Sequence, residues 1–207
     1  EWLTGQILDL VDAKTGNFVD ALDPKQHYPG PARISRRHRV RDNLPGVRNF
    51  CPLIRRTKKL EQYAKSNLSV VAHDAIKKTG HELLVRASAF LLLKDSRASF
   101  QIEQEYPEQA RAERWGQELA AAGRHSLSKE ELIRLQAIVL EDSRFIRFGF
   151  RNEGGFIGAH DRSTGTPLPD HISACHKDID RLIDGMLATY QKLIGHFDPV
   201  ILAAIIS

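Results

Sequence analysis

Between Glu82 and Phe100 the chain places Leu83, Leu84, Ala87, Phe90, Leu91 and Ala98 at helical spacing, and Ile102 continues the series. These positions cover more than one face of a 3.6-residue helix, so the pattern predicts a helix at the centre of its domain. Other helices are expected around it. Leu60, Tyr63, Leu68 and Val71 form an amphipathic stripe from about Pro52 to a stop near Thr79-Gly80. Pro107 suits the first turn of a helix through Ala110, Trp115 and Leu119 to Gly123. Ser128 and Glu131 have capping-box spacing ahead of Leu132, Leu135, Ile138 and Val139. Ile179, Leu182, Ile183, Met186, Leu187, Tyr190, Leu193 and Ile194 make one stripe ended by Gly195. Asp198-Pro199 then caps and opens an apolar helix from Val200. Six or seven helices follow from these patterns. Leu83, Leu84, Phe90, Leu91, Leu135, Leu182, Ile183 and Met186 are expected in the core, with Trp115 as a packing residue.

Extended structure is expected in one place. Phe145 to Arg151 alternates and is aromatic, and Gly155 to His160 leads to turn residues Asp161 to Gly165 and a proline-containing return through Thr166 to Ser173. Residues 155–172 therefore read as a β-hairpin. Pro167 and Pro169 cannot donate backbone bonds, so this is not a buried central strand. The fold class is mainly α with one small β-hairpin. Residues 1–60 are the least regular part. Leu3, Ile7, Leu10 and Val11 favour a short helix stopping at Gly16 over a hairpin turning at Asp12–Gly16.

The formal net charge is +4, and it is uneven. Residues 1–60 hold twelve Lys/Arg against six Asp/Glu, so the basic excess belongs to the N-terminal part. Three regions are expected: a basic extension (1–51), a helical region (52–125) and a C-terminal part carrying the hairpin (126–207), the last two with bounds implied by the family resemblance given below. Cys51 and Cys175 have no metal-type spacing and read as reduced thiols. No run of about 18 apolar residues exists for a membrane-spanning helix, and no signal-peptide pattern opens the chain, so the expected setting is cytoplasmic. The chain ends in an apolar helix with no stop signal, which is expected of a fragment.

No Walker loop, GxGxxG, HExxH, GxSxG or paired CxxC occurs. Three features carry potential chemistry. Ser99 and Glu103 lie four apart and share a helix face, as in any polar helix end. Gly155, Phe156, Ile157, Gly158, Ala159 and His160 form a glycine-flanked strand whose edge could pair with an extended peptide, or be an ordinary surface hairpin. Arg33 to Arg41 holds five arginines, which suit a solvated loop, acidic partners within the chain, or nucleic-acid phosphates. No aromatic residue interleaves them for stacking on single strands. His171, Cys175 and His176 straddle a helix start and make a poor metal set, so no metal site is assigned.

Taken in order, three stretches resemble the Fic family of AMP transferases. Leu84 to Glu103 looks like the family's N-terminal inhibitory helix, pattern (S/T)xxxE(G/N), with Ser99 and Glu103 in place and Gln104 where Gly or Asn is usual. Arg151 to Ser173 looks like the flap. Asp198 to Ala204 looks like the helix leading into the active-site loop. The resemblance covers about residues 52–207. It implies a Fic-like helical bundle, incomplete at its C-terminus, because the signature HPFx(D/E)GNGR would follow Ser207 and is absent from these residues.

What the resemblance implies is the regulatory and target-docking portion of a protein adenylyltransferase, inactive without the signature. Glu103, supported by Ser99, would pair with the second Arg of the signature and occupy the γ-phosphate position. Residues 155–160 would clamp the target by backbone pairing. ATP and Mg²⁺ are implied for the intact protein and not for these residues alone. The partners implied are a target protein and the C-terminal Fic core. Self-association would follow from exposed apolar surface. The rival reading is a non-catalytic helical module binding nucleic acid through Arg33–Arg41.

Overall fold

The computed structural model describes residues 1–66, 68–79, 81–102, 104, 106, 109–140 and 148–206, with backbone alone for 68, 69, 81, 82, 84 and 85. Gly80, Glu103, Pro107 and Phe145–Arg147, all used above, lie outside the described residues, as does the Leu84 side chain. Seven helices and two small sheets occur among the described residues. The chain is therefore largely helical, as expected, with one sheet more than expected. It forms two compact units, one of residues 1–66 with 151–207 and one of residues 67–150.

The first unit begins irregularly. The helix expected over residues 3–16 does not form. Its backbone groups find other partners. The Ala13 N–H donates to Arg37 O at 2.8 Å. The Leu8 N–H donates to the Glu1 carboxylate at 2.9 Å. Gly5 itself has φ +69°, outside helical space.

Three short strands follow, β1 (Val19–Asp20), β2 (Arg33–Ser35) and β3 (Val40–Asp42). β3 lies between the others, parallel to β1 and antiparallel to β2. The arginine run is thus the β2–β3 hairpin. Its arginines are largely consumed within the unit. Arg37 pairs with Glu1 and Asp12 at 3.1 and 2.5 Å. Arg39 donates to the Gly16 carbonyl and stacks over Phe18 at 4.4 Å. Arg41 reaches Asp20 at 2.6 Å. Buried Asn43 extends the sheet, donating to Leu22 O and accepting from the Leu22 N–H, both at 2.8 Å.

α1 (Lys58–Ser66) starts at Thr57, whose hydroxyl accepts the Leu60 N–H at 3.2 Å. In the second unit run α2 (Leu68–Lys77), α3 (His81–Ile102), α4 (Gln109–Ala120) and α5 (Lys129–Leu140). Ser128 caps α5 through the Glu131 N–H at 3.2 Å, as its spacing predicts. α3 is the long helix expected, yet its burial differs. Leu83, Phe90 and Leu91 are 63%, 68% and 52% exposed. α4 covers the C-terminal half of α3 instead, and the polar pattern explains where. Ser96 is fully buried and donates to Ala112 O at 2.7 Å. Gly116 is buried beside the Leu92 backbone. Arg111 stacks on the buried Phe100 at 4.6 Å and donates to Val139 O at 2.6 Å. The small residues and Ser96 set the contact, so the larger apolar residues toward the start of α3 lie outside it.

The chain returns to the first unit with β4 (Phe156–His160), β5 (Pro167–Ile172), α6 (His176–Leu193) and α7 (Pro199–Ile206). The stop at Gly195, φ +75°, and the cap by Asp198, whose carboxylate accepts the Val200 N–H at 2.9 Å, match the sequence pattern. Leu193, Leu202 and Ile205 form the core, with Ile54, Tyr190, Phe197, Ile201 and Ile206 packed against it. Leu182, Ile183, Met186 and Leu135, all expected in the core, are half-buried.

α6 also receives the N-terminal segment. Thr189 is fully buried; its hydroxyl donates to Phe50 O at 2.7 Å and accepts the Val47 N–H at 3.1 Å. Lys192 Nζ donates to Leu44 O and Gly46 O at 2.7 and 3.0 Å. Gly185 admits the same loop, because a Cβ there would stand 2.8 Å from Asn49 Cβ. Replacing Thr189 by Val keeps the shape and removes the hydroxyl. Thr189→Val is expected to cost about 1–3 kcal/mol, read as a lower urea midpoint; an unchanged or raised midpoint would contradict the role given to this hydroxyl.

Candidate functional site

The hairpin expected over residues 155–172 forms. β4 and β5 pair antiparallel and belong to a two-stranded sheet. Such a ribbon is marginal alone, and two features hold it. At its base the Ser173 N–H donates to Gly155 O at 3.0 Å. There too, Arg151 donates to Glu153 O at 2.6 Å and to the Ala174 carbonyl, tying the incoming and outgoing chain together.

At its tip, Asp161 organises the turn. Its Oδ1 accepts the Ser163 and Thr164 N–H groups, both at 2.8 Å, and both hydroxyls. Gly165 takes φ +68° and donates to Asp161 O at 2.9 Å. The Ser163 hydroxyl first, then the Thr164 and Ser163 N–H groups and the Thr164 hydroxyl, hold the Asp161 carboxyl well below its ordinary 3.8, against a smaller opposing effect of burial.

Register carries the functional detail. Ile157 pairs with His171, but Gly158 pairs with Pro169, so Asp170 is the extra residue of a bulge. Gly158 has φ +153°, and a Cβ there would sit 2.3 Å from Leu168 O. No other residue fits this close approach. The Phe156 and His160 rings meet edge to face at 5.2 Å beside it. β5 lacks two backbone donors, at Pro167 and Pro169. β4 keeps a donor at every residue, so its outer edge is the one able to bond an added strand. Ala159 and His160 are exposed, and Ile157 is 67% exposed.

Ser99 lies in the other unit, on the exposed side of α3, and its hydroxyl donates back to Asp95 O at 3.0 Å. Glu103 lies outside the described residues. Gln104 has φ +59°, and its N–H donates to Gln101 O at 2.9 Å. The position at which the inhibitory pattern asks for Gly or Asn is thus left-handed, the conformation those residues adopt most readily. His171, Cys175 and His176 are not brought together as ligands: among the described residues no group of three or more His, Cys, Asp or Glu could hold a metal ion. No described helix is long and apolar enough to cross a membrane.

Arg151 and Asp161 are the site residues that spacing alone did not mark. Asp161 carries a readable signal, an Asp two and three residues ahead of Ser and Thr in a turn. Comparison with protein-family models, with curated proteins and with solved structures finds no match.

Two outcomes follow. Gln104→Gly removes the left-handed penalty and is expected to stabilise the second unit by about 0.5–1 kcal/mol, measured as a higher urea midpoint; a drop would contradict the assignment. Because Asp161 has a lowered folded value, its contribution to the turn is complete above 3.8 and is lost as pH falls below it. The Ser163 and Thr164 amide resonances are expected to shift only well below pH 3.8 in the native protein and to show no such titration in Asp161→Asn. A native midpoint at or above 3.8 would contradict this.

Proposed function

We propose that this chain is the regulatory and target-docking portion of a Fic-type protein adenylyltransferase, an enzyme that moves AMP from ATP to a protein hydroxyl. The observation that carries the reading is the β4 edge. It is the outer side of a five-residue strand in a two-stranded sheet, with alternate residues turning their backbone groups outward, held by Arg151 below and Asp161 above. An extended target segment would add to it by main-chain pairing, which positions a hydroxyl without requiring a particular side chain. The left-handed Gln104 supports the accompanying assignment of Ser99 and Glu103 to an inhibitory helix end. Glu103 would compete with the γ-phosphate for a signature arginine, and Ser99 would support that helix end.

The transfer chemistry would belong to the signature segment after Ser207. ATP and Mg²⁺ would bind there. The nucleic-acid reading has less to draw on, since Arg37, Arg39 and Arg41 are committed within the first unit.

The reading is tested with radiolabelled ATP and Mg²⁺ on this chain and on the chain joined to an HPFx(D/E)GNGR segment encoded downstream. Residues 1–207 alone are expected to transfer no AMP. In the joined protein Glu103→Gly is expected to raise self-labelling about tenfold or more, the worth of one charge-assisted pair. No increase in a folded joined protein, or transfer by residues 1–207 alone, would overturn the proposal.

A further inference from the structure

The arginine run leaves a remainder. Arg37, Arg39 and Arg41 have partners within the first unit, but among the described residues the Arg33 guanidinium has no hydrogen bond or ion pair, and neither has that of Arg48. Both line one cavity of about 530 Å³. Trp2, Pro31 and Val47 supply apolar wall, and Lys192 supplies a third cation. This volume falls in the range of small-molecule sites, roughly 300–1,000 Å³.

The charges of the lining do not cancel. Arg33, Arg48 and Lys192 face one carboxylate, that of Asp42. Asp42 already accepts the Leu44 N–H at 3.2 Å. Lys192 spends two of its three N–H donors on Leu44 O and Gly46 O, leaving one. The two guanidiniums give none of theirs to a described residue. Planar forks of this kind match phosphate oxygens bidentately. Trp2 adds a π-face, and its residue is 37% exposed. A planar base can stack there while the arginines hold a phosphate.

We propose that this cavity binds a mononucleotide-sized phosphate ester, with Arg33 and Arg48 on the phosphate and Trp2 against the base. The site is separate from the β4 edge and does not depend on the AMP-transfer reading. A ligand here would bridge the β2–β3 hairpin, the 46–48 turn and α6, and so would tighten their association by binding the folded form alone.

The test uses the full chain with Trp115→Phe, which leaves Trp2 as the one tryptophan. AMP, adenosine and inorganic phosphate are titrated separately while Trp2 emission is followed. AMP is expected to change the emission saturably, with weaker binding as salt rises. Inorganic phosphate and adenosine are each expected to bind about tenfold more weakly or worse, because each keeps half of the contacts. Arg33→Ala with Arg48→Ala is expected to lose at least about tenfold in AMP affinity. Arg36→Ala, which removes an arginine that does not line the cavity, is expected to change nothing. Thermal melts confirm that the variants fold, and AMP is expected to raise the melting point of the parent but not of the double variant. Unchanged affinity in the double variant, equal affinity for phosphate and AMP, or no saturable response to AMP would overturn the proposal.

Discussion

The buried hydroxyl of Thr189 joins the two ends of the chain. It lies on α6 and satisfies backbone groups of Val47 and Phe50, about 140 residues earlier in sequence. Lys192, one turn further, closes the Leu44 and Gly46 carbonyls of the same loop. A loop that buries backbone polar groups against a helix must pair them, or each unpaired group costs about 1–3 kcal/mol. The glycines make the approach possible. A Cβ on Gly46 would stand 2.1 Å from Phe50 O, and one on Gly185 would meet Asn49. Without this clasp the small sheet of residues 19–42 would have little to lean on, since few of its side chains are buried.

The hairpin is a thin, open element. It has no core of its own. Its order comes from a turn held by one carboxylate and from a base held by one guanidinium. Such a ribbon gives up packing energy and keeps a strand edge in solvent, a liability that proteins usually cover. Gly158 and the Asp170 bulge twist the ribbon, and the two prolines remove donors from the other edge. One edge is left competent to pair, which is the physical basis of the docking role proposed for it.

Much of this was legible in the sequence where the determinants are local. The hairpin, the Ser128 cap, the Gly195 stop and the Asp198 cap each depend on residues within a few positions, and each stands where the pattern placed it. The failures share a cause. Leu3, Ile7, Leu10 and Val11 have helical spacing, yet Arg37, far along the chain, bonds the Leu8 carbonyl and the Ala13 N–H, which no local pattern shows. Leu83, Phe90 and Leu91 satisfy a burial pattern, but α4 meets α3 where Ser96 and Ala112 are buried against each other. Hydrophobic periodicity reports which face can be buried and not how far along the helix a partner reaches. Among the candidate residues, 155–160 were placed by turn chemistry, while the Arg33–Arg48 cavity depends on α6 and was invisible to spacing.

The account rests on the N-terminal segment and α6 behaving as one cooperative body. Native-state hydrogen exchange with residue resolution measures this directly. The amides of Leu22, Tyr28 and Val47 are expected to open with the same free energy as those in the last turns of α6, while the β4 amides facing solvent exchange far earlier. Rapid exchange at Leu22, Tyr28 and Val47 with α6 still protected would show that the two ends of the chain are not joined, and would contradict the account.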